Sequence, residues 1–297
     1  MKIGVIGLGR MGMAVCKRLV EQGHVVVGWD IDQSLASVIE EAGGRFCADP
    51  AEVVRRSDSI LTLVTDDAAA IWLFSDEGGL LQGNAEGKLF IELSTLQPST
   101  VVQIGECVLA VGGAFVGAPV LGSIPTVSSG KLLVLAGGAV EHVERARMVL
   151  QPLAHSVVHL GSLGAGNVMK LIVNLTMASY LEALSEGLAL GLEHGLSLEQ
   201  MLQILAGAVT ANPWLSSKLK ILAGEPGEVS LDIALMQKDV LSAVTVGSAA
   251  GVAMPMASGI LASLSTAVAT GHGREDMALL PKVFRENMVR RRPETSR

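Results

Sequence analysis

Two small sets of residues in this chain have types and spacing that could do chemistry. Lys170 and Asn174 stand four residues apart inside Ala165–Gly195, where apolar residues recur at helical spacing, so the two share one helix face. A lysine ammonium can hand a proton to an oxygen, and neutral lysine can take one back. An amide one turn away can orient that lysine or hold a second polar group. A lone lysine more often lays its stem over apolar surface, but this one is preceded by Gly161, Gly164 and Gly166, which lead the chain from an apolar run into the helix. The second set is the turn formed by Gly7, Leu8, Gly9, Arg10, Met11 and Gly12. It follows a β-branched run, Lys2–Ile6, and opens a helical pattern, Met11–Glu21. In that context Gly7 permits a tight turn, Gly9 lets a ligand approach the backbone, and Gly12 lets helix and strand pack closely. Free N–H groups at the helix start then suit a pyrophosphate.

A strand, this turn and a helix together predict a dinucleotide site. Asp30 closes the second strand, 18 residues after Gly12. A carboxylate there can accept hydrogen bonds from both ribose hydroxyls and would repel a 2′-phosphate. The run continues Asp30-Ile31-Asp32 with no arginine, so the sequence favours NAD over NADP.

These residues need elements to position them. Short apolar runs at Lys2–Ile6, His24–Trp29, Ser59–Val64, Leu89–Leu93, Ala114–Ala118, Leu132–Ala136 and Ser156–Leu160 predict strands. Helical patterns lie between them, at Met11–Glu21, Ser34–Ala42, Thr100–Val111 and Val140–Leu150. Repeated alternation predicts a largely parallel sheet with helices on both faces. After Gly161 the strand pattern stops. Ala165–Gly195, Ser197–Ala206, Trp214–Ala223, Leu231–Gly251, Pro255–Thr270 and Asp276–Phe284 all read as helix. The expected domains are therefore residues 1–162, α/β, and residues 163–297, all-α, joined by the long helix. Lys170 and Asn174 fall at that junction, where ligand clefts commonly form.

The chain resembles the β-hydroxyacid dehydrogenases, a family that includes 3-hydroxyisobutyrate dehydrogenase, tartronate semialdehyde reductase and the glyoxylate/succinic semialdehyde reductases. Four segments carry the resemblance, in order. Ile6–Gly12 is similar to the family's GLGxMG, Gly117–Ser123 to its DAPVSGG loop, Gly161–Asn174 to its GxxGxGxxxKxxxN segment, and Lys238-Asp239 to its late KD pair. The resemblance implies an N-terminal Rossmann domain with a helical substrate and dimerisation domain, and hydride transfer between NAD(H) and a short 3-hydroxy acid or its semialdehyde. It implies Lys170 as acid/base with Asn174 as its partner. Ser94 and Thr95 would lie near the nicotinamide, and Val64 and Thr65 near phosphates and ribose. Lys238 would reach cofactor or substrate, fixed by Asp239. The loop of Pro119, Val120, Leu121, Gly122 and Ser123 would hold the substrate carboxylate. That loop departs from the pattern: the family's serine is Leu121, its aspartate is Gly117, and its last glycine is Ser123. Leu231 stands where the family often has phenylalanine. Both changes bear on which substrate fits, not on hydride transfer. The competing readings are an imine reductase of related architecture, which usually lacks a lysine at position 170, and a non-catalytic dinucleotide-binding scaffold. A full 6-phosphogluconate dehydrogenase would carry a much longer helical region.

Composition narrows the partners. The chain has 297 residues, 49% hydrophobic and 17% charged, with a formal net charge of -7, so no nucleic-acid footprint is expected. The basic cluster Arg290–Arg292 reads as a solvated tail. Cys16, Cys47 and Cys107 are widely spaced without a CxxC, and read as reduced and buried in a cytoplasmic protein. No metal site is expected: His155 and His159 lie in a strand pattern, where four residues span roughly 13 Å. Met1–Gly9 is too short for a signal peptide. Val240–Gly271 carries no charge, but Pro255 interrupts it. It reads as a pair of buried helices rather than a membrane span, and its sparse charge suggests association into a homodimer or homotetramer.

Overall fold

The structure, a computed structural model, describes residues 1–288; the Arg290–Arg292 cluster lies outside the described residues. The chain forms two compact units, the first ending at Lys170 and the second beginning at Leu171.

In the first unit, β1 (Lys2–Ile6), β2 (Val25–Trp29), β3 (Arg45–Phe46), β4 (Ser59–Thr62), β5 (Leu89–Glu92) and β6 (Ala114–Gly117) form one parallel sheet in the order β3-β2-β1-β4-β5-β6. Its core shows the period of two that a strand imposes. Ile3 and Val5, Leu61, Leu89 and Ile91, and Ala114 and Val116 enter one apolar layer. Ile6, Ile60, Phe90 and Phe115 enter the other. Helices α1 (Arg10–Glu21), α2 (Ala36–Glu41), α3 (Pro50–Arg56), α4 (Asp67–Phe74) and α5 (Pro98–Ala110) connect these strands. Both faces are buried, which is why the strands read as continuous apolar runs.

The single sheet expected from the sequence divides in two. After β6 the chain enters β7 (Val120–Leu121), α6 (Ile124–Ser128), β8 (Leu132–Ala136), α7 (Val140–Leu150) and β9 (Ala154–His159). Here β7 pairs antiparallel with β8, and β8 pairs parallel with β9, making a separate three-stranded sheet. An isolated bridge, Gly117 to Gly137, links it to β6. Pro119 has no N–H with which to prolong the β6 ladder, and its carbonyl instead accepts from Leu135 at 3.0 Å. Helices α3 and α4 lie where the sequence reading placed none. Each is too short to show a period, but each has a cap: Asp49 accepts from the Glu52 N–H and is followed by Pro50, and Asp66 accepts from the Ala69 N–H. Cysteine placement also needs correcting. Cys16 and Cys47 are buried, whereas Cys107 is exposed, on the outer face of α5 beside exposed Glu106 and Leu109.

The helix α8 (Ala165–Glu193) begins in the first unit and continues through the second. There it is joined by α9 (Leu198–Gly207), α10 (Pro213–Leu222), α11 (Ile233–Ala249), α12 (Pro255–Ala269) and α13 (Leu280–Met288). The predicted start of α11 at Leu231 moves to Ile233 because Asp232 caps the helix, accepting from the Leu235 N–H at 2.8 Å. Helices α11 and α12 share an apolar cluster through Val240, Ala257, Ile260 and Leu264. They are not buried all round, since Leu241 and Met256 are each more than half exposed, as is Val252 between the two helices. Among the described residues no helix is long and apolar enough to cross a membrane.

A buried ion pair locks helix α10 to the segment before α13 in the second unit. Lys218 Nζ donates to Asp276 Oδ2 at 2.7 Å, and the same oxygen accepts from the N–H and hydroxyl of Ser230. Asp276 Oδ1 accepts from the Ala278 N–H at 3.0 Å. Both charged side chains are almost wholly buried, so removing one strands the other. Lys218→Met should therefore lower unfolding stability by about 3–5 kcal/mol, read from urea melts; a loss below about 1 kcal/mol would show that water reaches Asp276.

Candidate active site

The loop after β1 is built from close backbone approaches. Gly7 has φ +89°, and a Cβ placed on it would lie 2.1 Å from the Leu63 carbonyl oxygen. A Cβ on Gly12 would lie 1.9 Å from the Gly7 carbonyl oxygen. Both glycines are thus required by the protein's own packing. Gly9 differs: a Cβ there would meet nothing within 4 Å. Gly9 is also the N-cap of α1, which has no side-chain cap and no acid in its first turn. The first-turn amides of α1 and the open face at Gly9 therefore suit a diphosphate that approaches the backbone.

Asp30 follows β2 and ties two turns together. Its Oδ2 accepts from the Leu8 N–H at 2.6 Å and its Oδ1 from the Asp32 N–H at 2.9 Å. The carboxylate is thereby held against the glycine turn, with Arg10 and Met11 just beyond it in α1. The loops after β4 and β5 leave the same carboxyl edge of the sheet. They carry Val64 with Thr65, and Ser94 with Thr95, and the Val64 N–H donates to Ser94 Oγ at 2.8 Å.

The segment Pro119–Ser123 is not a simple loop. Val120 and Leu121 form β7, opposite Val134 and Leu133. Pro119 is buried, Leu121 half-buried and Gly122 exposed with φ +147°. Ser123 precedes α6, and its hydroxyl lies 3.2 Å from that of Thr126. The glycine lead-in to α8 is tight: a Cβ on Gly166 would fall 2.0 Å from the Leu135 carbonyl oxygen. Next to it, buried Asn167 donates to the Leu96 carbonyl at 3.3 Å. Lys170, half-buried, lies one turn further along α8.

In the second unit, Asn174 and the Lys238-Asp239 pair come together. Asn174 Nδ2 donates to Asp239 Oδ2 at 2.5 Å, and Lys238 Nζ lies 3.0 Å from Asp239 Oδ1. Asn174 and Asp239 are buried. Leu231 is half-buried against the α11–α12 cluster. Among the described residues no group of three His, Cys, Asp or Glu could hold a metal ion.

Residues 2–161 match the family model described as the NAD binding domain of 6-phosphogluconate dehydrogenase. Residues 164–284 match that described as the NAD-binding region of NADP-dependent 3-hydroxyisobutyrate dehydrogenase. Glyoxylate/succinic semialdehyde reductase 1 of Arabidopsis thaliana is 33% identical over 278 residues, 94% of this chain and 96% of that protein. The chain belongs to the β-hydroxyacid dehydrogenase family. A solved structure of the family, Mycobacterium tuberculosis 3-hydroxyisobutyrate dehydrogenase with L-serine, superposes with a TM-score of 0.82 at 26% identity, covering 96% of this chain and 99% of that one. A further relative, the human cytokine-like nuclear factor N-PAC, is 30% identical over 95% of this chain; the chain spans about half (51%) of its length.

This β-hydroxyacid dehydrogenase is accordingly a nicotinamide-dinucleotide oxidoreductase acting on a CH–OH group. Sequence reasoning missed one polar cluster behind its loops. Glu92, the last residue of β5, is fully buried; its Oε2 accepts from the Thr62 hydroxyl at 2.5 Å and its Oε1 from the Ser94 N–H at 2.7 Å. The signal was present as one acid at the end of the apolar run Leu89–Glu92. Burial pushes the Glu92 carboxyl up to about 7, opposed by the hydrogen bonds from Ser94 and Thr62 and reinforced slightly by Asp67.

A raised carboxyl makes stability fall with pH. Between about 4.5, its ordinary value, and about 7, folded Glu92 keeps a proton that the unfolded chain has lost. Stability should decline through that window and level off above it. Glu92→Gln removes the titration. The stability difference, variant minus wild type, should therefore rise by roughly 3 kcal/mol from pH 4.5 to pH 8. A difference that stays flat in urea melts across that range would show that Glu92 titrates as an exposed carboxyl does.

Proposed function

We propose that this enzyme interconverts a short 3-hydroxy acid and its semialdehyde, using NAD(H) in preference to NADP(H). The observation that carries the reading is the run on α8: Lys170 stands one helical turn before Asn174, whose amide is fixed by Asp239. Residues 1–162 form the dinucleotide-binding domain and residues 163–297 the helical substrate and dimerisation domain. The dinucleotide, when bound, supplies or accepts the hydride. Gly7, Leu8, Gly9, Arg10, Met11 and Gly12 cradle its diphosphate, and Val64, Thr65, Ser94 and Thr95 flank its other half. Asp30 takes the ribose hydroxyls. Held at both oxygens by backbone N–H groups, that carboxylate presents a negative charge that a 2′-phosphate would have to approach.

Lys170 gives a proton to the aldehyde oxygen as the carbonyl carbon receives hydride, and takes it back in the reverse direction. Asn174 orients the reacting groups, itself held by Asp239, which also pairs with Lys238. Val120, Leu121, Gly122 and Ser123, led by Pro119, receive the acid's carboxylate. Leu121 offers no hydroxyl there, so Ser123 and backbone N–H groups supply the donors. This favours a substrate with an apolar group beside its carboxylate.

The test is oxidation of NADH and NADPH at 340 nm with methylmalonate, tartronate and succinate semialdehydes, glyoxylate and a cyclic imine. Turnover of one semialdehyde with NADH is expected. Lys170→Ala should cut kcat/KM by about 10²–10⁴ while leaving NADH binding intact, and equal activity in that variant would remove Lys170 from the mechanism. Turnover with NADPH alone would refute the role of Asp30. Reduction of the imine alone, or dinucleotide binding without any turnover, would replace the reading by an imine reductase or a scaffold.

We also take the protein to act in the cytoplasm as a homodimer or homotetramer. The exposed apolar residues Leu241, Val252 and Met256 on and beside α11 and α12 support association. Light scattering should give two or four times the chain mass, and a single-chain mass at micromolar concentration would overturn this.

A further inference from the structure

Behind the loops read above as cofactor-binding lies a closed polar circuit. Thr62 and Glu92 are the last residues of β4 and β5 and face each other in register. The final backbone rung between these strands is Leu93 N–H to the Thr62 carbonyl, at 2.9 Å. Beyond it the two chains part into loops, and the remaining ties run through side chains. Glu92 takes the Thr62 hydroxyl on one oxygen and the Ser94 N–H on the other. The Ser94 hydroxyl in turn takes the Val64 N–H. The Thr62–Glu92 and Val64–Ser94 links cross between the two chains, and the Glu92–Ser94 link closes the circuit on the β5 side.

We propose that Glu92 is a positioning residue which, through Thr62 and Ser94, sets the spacing of the Val64–Thr65 and Ser94–Thr95 loops and with it the affinity for the dinucleotide. The proposal rests on the reading of those loops given above. An acid at this depth costs folding stability that an apolar residue would not. The circuit is what the acid provides in return. As a carboxylate, Glu92 accepts on both oxygens. As an acid it carries a hydrogen on one of them, so either the Thr62 hydroxyl must reverse or the Ser94 N–H loses its acceptor. The neighbouring strands present no charge in register, since β4 offers Thr62 and β6 offers Gly117. Asp67, at the start of α4, is the charged group that acts on Glu92, and it favours the protonated form. Burial places the change near neutral pH.

The cofactor-free chain is tested first, by mass-spectrometric amide exchange of peptides spanning residues 62–66 and 92–96 at pH 6 and pH 8, corrected for intrinsic rates. Loss of about one hydrogen bond should reduce protection about three- to tenfold at pH 6. Glu92→Gln, which cannot change protonation state, should show equal protection at both pH values. The NADH dissociation constant, from fluorescence titration, should rise by a similar factor at pH 6 in the wild type and stay constant in Glu92→Gln. Unchanged protection in the wild type overturns the proposal. So does tighter NADH binding at pH 6, which would mark a charge effect of the carboxylate on an anionic ligand. Protection that responds while NADH affinity does not also overturns it. If neither NADH nor NADPH binds at either pH, the cofactor reading of the loops fails, and exchange alone then decides whether Glu92 ties them. Should Glu92→Gln not fold, Thr62→Val replaces it. Losing a donor to the carboxylate should move the midpoint of protection loss to higher pH, and an unmoved midpoint would count against the circuit.

Discussion

The carboxyl edge of the parallel sheet depends on one close approach, that of the backbone leaving β1 to the backbone leaving β4. The Leu63 N–H donates to the Ile6 carbonyl at 2.8 Å, and the Leu63 carbonyl oxygen then fills the space that a side chain at position 7 would need. Gly7 turns the chain there, its own carbonyl lies against Gly12, and α1 starts directly over the strand end. With the strand order β3-β2-β1-β4-β5-β6, this is the place where successive connections diverge to opposite sides. A crevice at such a point is a consequence of topology. Its lining is decided locally by glycines, by Asp30 and by the Val64–Ser94 contact.

Polar groups behind the edge hold it in shape. Asp30 binds the glycine turn to the turn after β2, and Glu92 binds the end of β4 to the loop after β5. Each uses two carboxylate oxygens to join two segments, which a single backbone rung cannot do. The environments separate them: Asp30 sits at the rim beside exposed Ile31, while Glu92 is enclosed by apolar strands. In the proposed reading the first meets a ligand, and the second sets the geometry beneath it.

In the second unit the same economy recurs. Asp239 joins the Asn174 amide on α8 to Lys238 on α11, and Asp276 joins α10 to the segment before α11. A small helical unit with few aromatic side chains thus fixes helix positions with buried charge as well as with Leu, Ile and Met packing. Such pairs are costly when half removed.

The sequence by itself determined the longer strands and helices and their order, the glycine turn and its acid at position 30, and the family, because these depend on period, local turn chemistry and short motifs. The four motifs were legible at once, since each needs particular residues at fixed spacing. What tertiary structure decided is pairing. That β8 and β9 form their own sheet with an antiparallel β7 follows from where Pro119 turns the chain, and apolar periodicity is the same for either sheet. That Asn174 meets Asp239, 65 residues away, follows from the packing of α11 on α8. Helices α3 and α4 were hidden by shortness, their Asp caps and Pro50 being the local signs. Glu92 was written in the sequence as a single acid in an apolar strand. Ser94 lies two residues on and offers its N–H locally, but only the parallel register of β4 with β5 brings the Thr62 hydroxyl to that acid.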